Sequence, residues 1–225
     1  MSTRIALALL TAMVFWALCF PLITIGIDLA PHLTFAAMRA AGAGLCLLAL
    51  AIDLRRSLPR DAHTWALIFL VALGASTLGF FGMFHAAEFV SPGLATVIYN
   101  AQPLLAALLA HFFLDERLQA AGTVGLALGF AGIVAIAWPG LSSGAPNAYV
   151  SLAAAGEAVG NVTMKRLPDE TDSIMAMGLQ LFIGALPLAL LSVWMEDVSS
   201  IAWSWTFIIL LVSLSVFGTA LPFWL

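Results

Sequence analysis

Apolar residues in this chain come in long continuous runs, not in alternation. Eight runs can be drawn, at 5–27, 33–52, 64–87, 92–114, 119–138, 147–165, 173–195 and 201–225, with short polar connections between them. Each is long enough to cross a bilayer as a helix, which takes about twenty residues. A helix also satisfies its own backbone hydrogen bonds in lipid. A β-barrel needs short strands of alternating polarity, and these runs do not supply them. The pattern predicts an all-α membrane protein, a polytopic bundle of about eight transmembrane helices. The first run is too long for a signal-peptide core and has no small-residue cleavage site, so it is read as a retained span.

Composition agrees with a lipid solvent. The chain is 63% hydrophobic and 9% charged, against roughly 25% charged in a soluble domain. The few charges are placed by side. Arg4 precedes the first run, Arg55, Arg56 and Arg60 follow the second, Arg117 the fourth, and Lys165 and Arg166 the sixth. The alternate connections, 28–32, 88–91, 139–146 and 196–200, hold only Asp28, Glu88, Glu196 and Asp197 as charged residues. Basic connections face the cytoplasm, so the expectation is a multi-pass protein of the cell (inner) membrane with a cytoplasmic N-terminus.

The turn-forming stretch 139–146 divides the chain into 1–138, with five runs, and 147–225, with three. Trp16 and Arg39 are 23 residues apart, and so are Glu157 and Gln180 at corresponding places in the second part. Gly79 in the third run matches Gly218 in the eighth. A repeat of five spans, being odd, inverts its successor across the membrane, a common plan for secondary transporters.

Two charges lie inside runs. Glu157 is about ten residues into the sixth, roughly 15 Å deep at 1.5 Å per residue. It must face a cavity, meet a cation or be protonated. The readings are a proton-coupling carboxylate, a partner for a substrate amine, or an ion pair with Arg39 that locks the repeats. Arg39 could hold a carboxylate bidentately or extend to the interface. Tyr99, Asn100 and Gln102 surround Pro103, whose missing N–H predicts a kink and a polar pocket in the fourth run. Trp16, Asn161 and Gln180 are further cavity candidates, and Pro21 and Pro222 candidate gating kinks. His85 and His111 sit near run ends, where an imidazole is ordinary. Cys19 and Cys46 read as small packing residues, and Gly122, Gly125, Gly129 and Gly132 as a helix-packing face. Trp194, Trp203 and Trp205 suit an interfacial belt. Neither a nucleotide loop nor a zinc-type spacing is present, so no catalytic residue, metal, cofactor or nucleic acid is expected.

The stretch Ser91–Pro103 (Ser-Pro-Gly-Leu-Ala-Thr-Val-Ile-Tyr-Asn-Ala-Gln-Pro) leads into 104–118, ending Leu-Asp-Glu-Arg-Leu, and a Gly-rich run follows from Gly122 to Gly132. With Gly218-Thr219-Ala220-Leu221-Pro222-Phe223-Trp224, this resembles the EamA-like branch of the drug/metabolite transporter superfamily. The resemblance implies a secondary-active permease working by alternating access and exporting small metabolites or amino acids, and the depth of Glu157 makes protons the candidate coupling ion. It also suggests Glu116–Arg117 as a latch between repeats. Members usually have ten spans, whereas this sequence stops in its eighth. The expectation is therefore a truncated member, with a second copy or a partner subunit as the other source of the missing wall. A scaffold that does not itself transport is the rival reading.

Overall fold

The computed structural model describes residues 3–114, 116, 119–137 and 145–224, and among these it is helical with no strand. Helices α1 (Thr3–Ile27) and α2 (His32–Asp53) form the first two spans. The third is α3 (Ala62–Val71), a π-helical segment (Ala72–Leu78) and α4 (Gly79–Ala87). The fourth is broken into α5 (Pro92–Tyr99) and α6 (Gln102–Phe113). Then come α7 (Ala120–Ala137), α8 (Ala145–Met164) and α9 (Ser173–Met195). The last span is α10 (Trp205–Ser215), a second π segment (Val216–Ala220) and α11 (Leu221–Trp224). Six of these stretches are long and apolar enough to cross a membrane, and α7 is a shorter apolar helix. Helix α8 is less apolar because it carries Asn147, Ser151, Glu157, Asn161 and Thr163.

Local chemistry sets the boundaries. Asp61 caps α3, accepting from the Thr64 backbone N–H at 2.6 Å and its hydroxyl at 2.8 Å. Those bonds hold the Asp61 carboxyl below the usual carboxylate range. Asp172 caps α9 through the Met175 N–H at 2.9 Å. Ser204 accepts from the Phe207 N–H at 3.2 Å, so the last helix starts at Trp205 and not at the expected 201. The break between α5 and α6 falls where Pro103 deprives the Tyr99 carbonyl of its helical donor. The Asn100 side-chain amide donates to the Thr96 carbonyl at 2.7 Å, steadying the end of α5.

Glycines let the spans meet backbone to backbone, the usual way helices associate in lipid. Where α2 crosses α9, a Cβ on Gly44 would stand 2.7 Å from the Phe182 nitrogen. Where the third span crosses α8, a Cβ on Gly156 would stand 2.5 Å from the Gly74 carbonyl oxygen. Phe35, Phe84 and Phe207 fill the centre of the core, with Phe35 5.2 Å from Phe84 and 5.3 Å from Phe207 between ring centroids.

Two expectations of close packing are corrected. Gly125 and Gly132 have nothing within 4 Å of an added Cβ, and Gly129 meets only Leu104. Among the described residues, α7 packs chiefly against α5 and α6, so Gly125 and Gly132 are left on its open side. Cys46 is exposed on α2, whereas Cys19 is buried.

The two ends of the bundle differ in charge. At one, Arg56 pairs with Asp172 at 3.5 Å and Lys165 with Glu116 at 3.1 Å. Arg166 also donates to the Phe113 carbonyl there. At the other, Glu196 accepts from the N–H groups of Leu33 and Thr34 and from the Thr34 hydroxyl, each at 2.8 Å. Trp194, Trp203 and Trp205 are exposed there, as an interfacial belt requires. These are called the basic end and the acidic end below.

Candidate functional site

The polar residues inside the bundle are arranged around the start of α4. Gly79 presents its Cα to Glu157, whose carboxylate oxygen lies 3.4 Å from where a Cβ would be. The next residue, Phe80, lies under Arg39, with its ring centroid 4.9 Å from the guanidinium carbon. The two intramembrane charges therefore flank one turn of α4 and form no ion pair with each other. Of the readings open for Arg39, extension to the interface also fails, since the side chain is 3% exposed.

Arg39 has other partners, among them the Met83 sulfur, 3.9 Å from Nη1. Its Nε and Nη2 donate to Thr219 Oγ1 at 3.2 and 3.1 Å, and Nη2 also reaches Cys19 Sγ at 3.3 Å. Phe84 adds a second aromatic face at 5.7 Å. Thr219 donates its own hydroxyl proton to the Leu214 carbonyl at 3.1 Å, so both its lone pairs are free for arginine. That carbonyl is five residues back, and the π segment is what brings it into reach.

Gln180 occupies the corresponding place in the second part. It is 2% exposed and accepts from Ser76 Oγ at 2.6 Å. Ser76 lies in the π segment of the third span, as Thr219 does in that of the eighth. The second span of each part is thus bonded to the π segment of the other: Arg39 to Thr219, Gln180 to Ser76. Thr77 and Ser215 reinforce the pair, donating to the carbonyls of Gly184 at 3.0 Å and Arg39 at 3.3 Å. π-helical turns of this kind occur often at functional sites.

Tyr99, at the end of α5, packs edge-on to Phe20 at 5.9 Å and lies within electrostatic reach of both Glu157 and Arg39. Asn161, one turn beyond Glu157 on α8, lines a groove of about 320 Å³ with Gln102, Pro103, Glu116 and Lys165. This groove opens beside the kink of the fourth span toward the basic end. Asn100 and Trp16 are outliers: Asn100 is exposed and engaged with Thr96. Trp16 is 49% exposed and meets Phe223 edge-on at 6.4 Å. Pro21 lies inside α1 and Pro222 follows the second π segment. Arg117 lies outside the described residues, and Glu116 is joined instead to Lys165.

Sequence reasoning missed Thr219, Ser76, Cys19 and the Phe80–Phe84 pair as partners. The signal available was the pairing of Gly79 with Gly218, which marks the two π segments.

Residues 3–138 match the model of the EamA-like transporter family. The chain belongs to this family. It is 34% identical over 224 residues to the uncharacterized transporter YvbV of Bacillus subtilis (strain 168), covering 98% of this chain and 73% of that one. It is also 34% identical over 200 residues to the WAT1-related protein At3g02690, chloroplastic, of Arabidopsis thaliana, covering 84% of this chain and 48% of the plant protein. A solved crystal structure shares the fold, with a TM-score of 0.65 at 21% identity over 97% of this chain and 76% of its own. The protein is therefore a multi-pass membrane transporter and not an enzyme. Its partners are a small-molecule substrate and the lipid around it.

Proposed function

We propose that the chain is a secondary-active permease of the inner membrane, exporting small metabolites or amino acids by alternating access, with its N-terminus in the cytoplasm. The observation that carries this reading is the line of polar groups from the basic end inward. Lys165, Asn161, Gln102 and Pro103 border the groove, and Glu157 stands one helical turn above Asn161. In this reading Glu157 takes up a proton and yields it in exchange for substrate, with Tyr99 beside it. Arg39 is a positioning residue, since Thr219, Cys19 and two aromatic rings already occupy its guanidinium.

The test is flux in liposomes under an imposed proton gradient, with a panel of labelled amino acids and metabolites. Saturable uptake of a panel member that responds to the gradient is the expected result. Glu157→Gln removes that response. A gradient response that persists unchanged in Glu157→Gln sinks the proton role.

A second reading, a scaffold that works only with a partner subunit or a second copy, is favoured by the outward face of α7, where Val124, Leu128 and Ile136 are exposed. Co-purification with a partner, with no flux from this chain alone, supports it.

A further inference from the structure

At the acidic end, four side chains from three spans converge. His32 is the first residue of α2, His85 lies in the last turn of α4, Glu88 follows it, and Glu196 ends α9. His85 Nδ1 faces His32 Nε2 at 2.8 Å. The other nitrogen of His32, Nδ1, stands 2.7 Å from Glu88 and 3.2 Å from Glu196. Two carboxylates on Nδ1 fix the proton there and leave the Nε2 lone pair directed at His85. One ligand atom from each of His32, His85 and Glu88 can be drawn within 4.8 Å of the others.

The geometry points to a divalent transition-metal site, of the zinc class, held by His32 Nε2, His85 Nδ1 and a Glu88 oxygen. Zinc–nitrogen bonds of about 2.0–2.1 Å at a tetrahedral angle put two ligand nitrogens about 3.4 Å apart. The two rings need to part by only about half an ångström from their present contact. His85 then carries its proton on Nε2 in place of Nδ1, so its change is a tautomer shift with no proton lost. Glu88 is exposed and swings from His32 Nδ1 to the ion. Glu196 stays, because three hydrogen bonds from Leu33 and Thr34 fix its carboxylate. It keeps the His32 Nδ1–H, the outer carboxylate–histidine support that metal sites commonly use. Charge also balances, with two neutral imidazoles, one carboxylate on the ion and one behind it. Aromatic rings wall the inner side: Tyr149 lies 4.3 Å and Phe81 5.6 Å from His85 between centroids.

Sequence spacing gives no hint of this, since His32 and His85 are 53 residues apart. The site does not depend on Glu157 or on the direction of transport. Its effect is to pin the acidic ends of the second and third spans together against α9.

The experiment is titration of the purified full chain, carrying a tag without histidine, with zinc by calorimetry and with cobalt by its visible absorption. The expected result is one saturable ion per chain, with a cobalt spectrum of nitrogen and oxygen ligands in low coordination. His85→Ala and His32→Gln each weaken binding by roughly tenfold or more, and His111→Ala leaves it unchanged. Glu88→Gln is an exposed change that keeps the bundle intact, and it weakens binding similarly. Zinc affinity that is the same in His85→Ala and Glu88→Gln as in the parent overturns the proposal. So does the absence of saturable binding by the folded parent.

Discussion

Arg39 is a cation in the apolar core whose neighbours are a hydroxyl, a thiol, a thioether and two aromatic rings, with no carboxylate among its contacts in the described residues. Each is a weaker partner than a carboxylate, so the site is stable only while all are in place. Thr219 is the one that accepts two guanidinium bonds. Thr219→Val preserves shape and removes both, and a hydrogen bond to a charged group is worth about 1.5–3 kcal/mol. Denaturant unfolding in mixed micelles should register a loss of that order, while Ser213→Ala, outside this set of contacts, should leave stability nearly unchanged. The charges themselves were legible in the sequence, since an arginine and a glutamate inside apolar runs have no bland explanation. Their partners were not. A threonine hydrogen-bonds its own helix almost anywhere in a span, so residue type alone does not separate Thr219 from Thr11 or Thr24.

At the scale of elements, the third span and α8 touch through glycines. Gly156 sits 2.5 Å, measured from an added Cβ, from a backbone oxygen that has no freedom to yield. Gly156→Ala therefore forces the helices apart, at a cost of about 1–3 kcal/mol for an overpacked contact. The expected readout is a lower yield of monodisperse protein, together with loss of the Glu157 contact at Gly79. Gly132→Ala, with open space at its Cβ, is the matched control and should behave as the parent does. Helix positions were largely readable from the apolar runs, and the α9 range was read as it stands because Asp172 and Glu196 bracket it. The Pro103 break was readable from its chemistry. The π segments were not, because the glycines that mark them, Gly79 and Gly218, do not by themselves show a π turn, and the tertiary bonds made from them, Ser76 to Gln180 and Thr219 to Arg39, are not visible in a single helix. The metal-ligand geometry at the acidic end was hidden for the same reason, being assembled from residues far apart in the chain.

Across the whole molecule, the spans before and after the 139–146 stretch are joined, among the described residues, by crossed bonds in the membrane and by two ion pairs at the basic end, Arg56–Asp172 and Lys165–Glu116. Lys165 and Glu116 are both more than half exposed, at 59% and 54%. Such a pair contributes less than about 1 kcal/mol. Lys165→Ala should accordingly leave unfolding almost unchanged, and any larger effect on flux would locate its role in transport. A fall in stability comparable to that of Thr219→Val would show that the pair is a structural latch after all. The equal 23-residue spacings of Trp16 to Arg39 and Glu157 to Gln180 were legible in the sequence. That Arg39 and Gln180 would each bond to a π segment far away in the chain was not, because spacing says which positions correspond and not which of them touch.

The crossing of those bonds has a consequence in time. Membrane proteins are made from the N-terminus, at about 5–20 residues per second. Thr219 follows Arg39 by 180 positions, so the arginine waits roughly ten to forty seconds for its acceptor to be synthesised. During that interval Phe80 and Phe84 are already made and Thr219 is not. The nascent chain thus carries an arginine whose thiol and two aromatic partners are already made and whose hydroxyl acceptor is still to come.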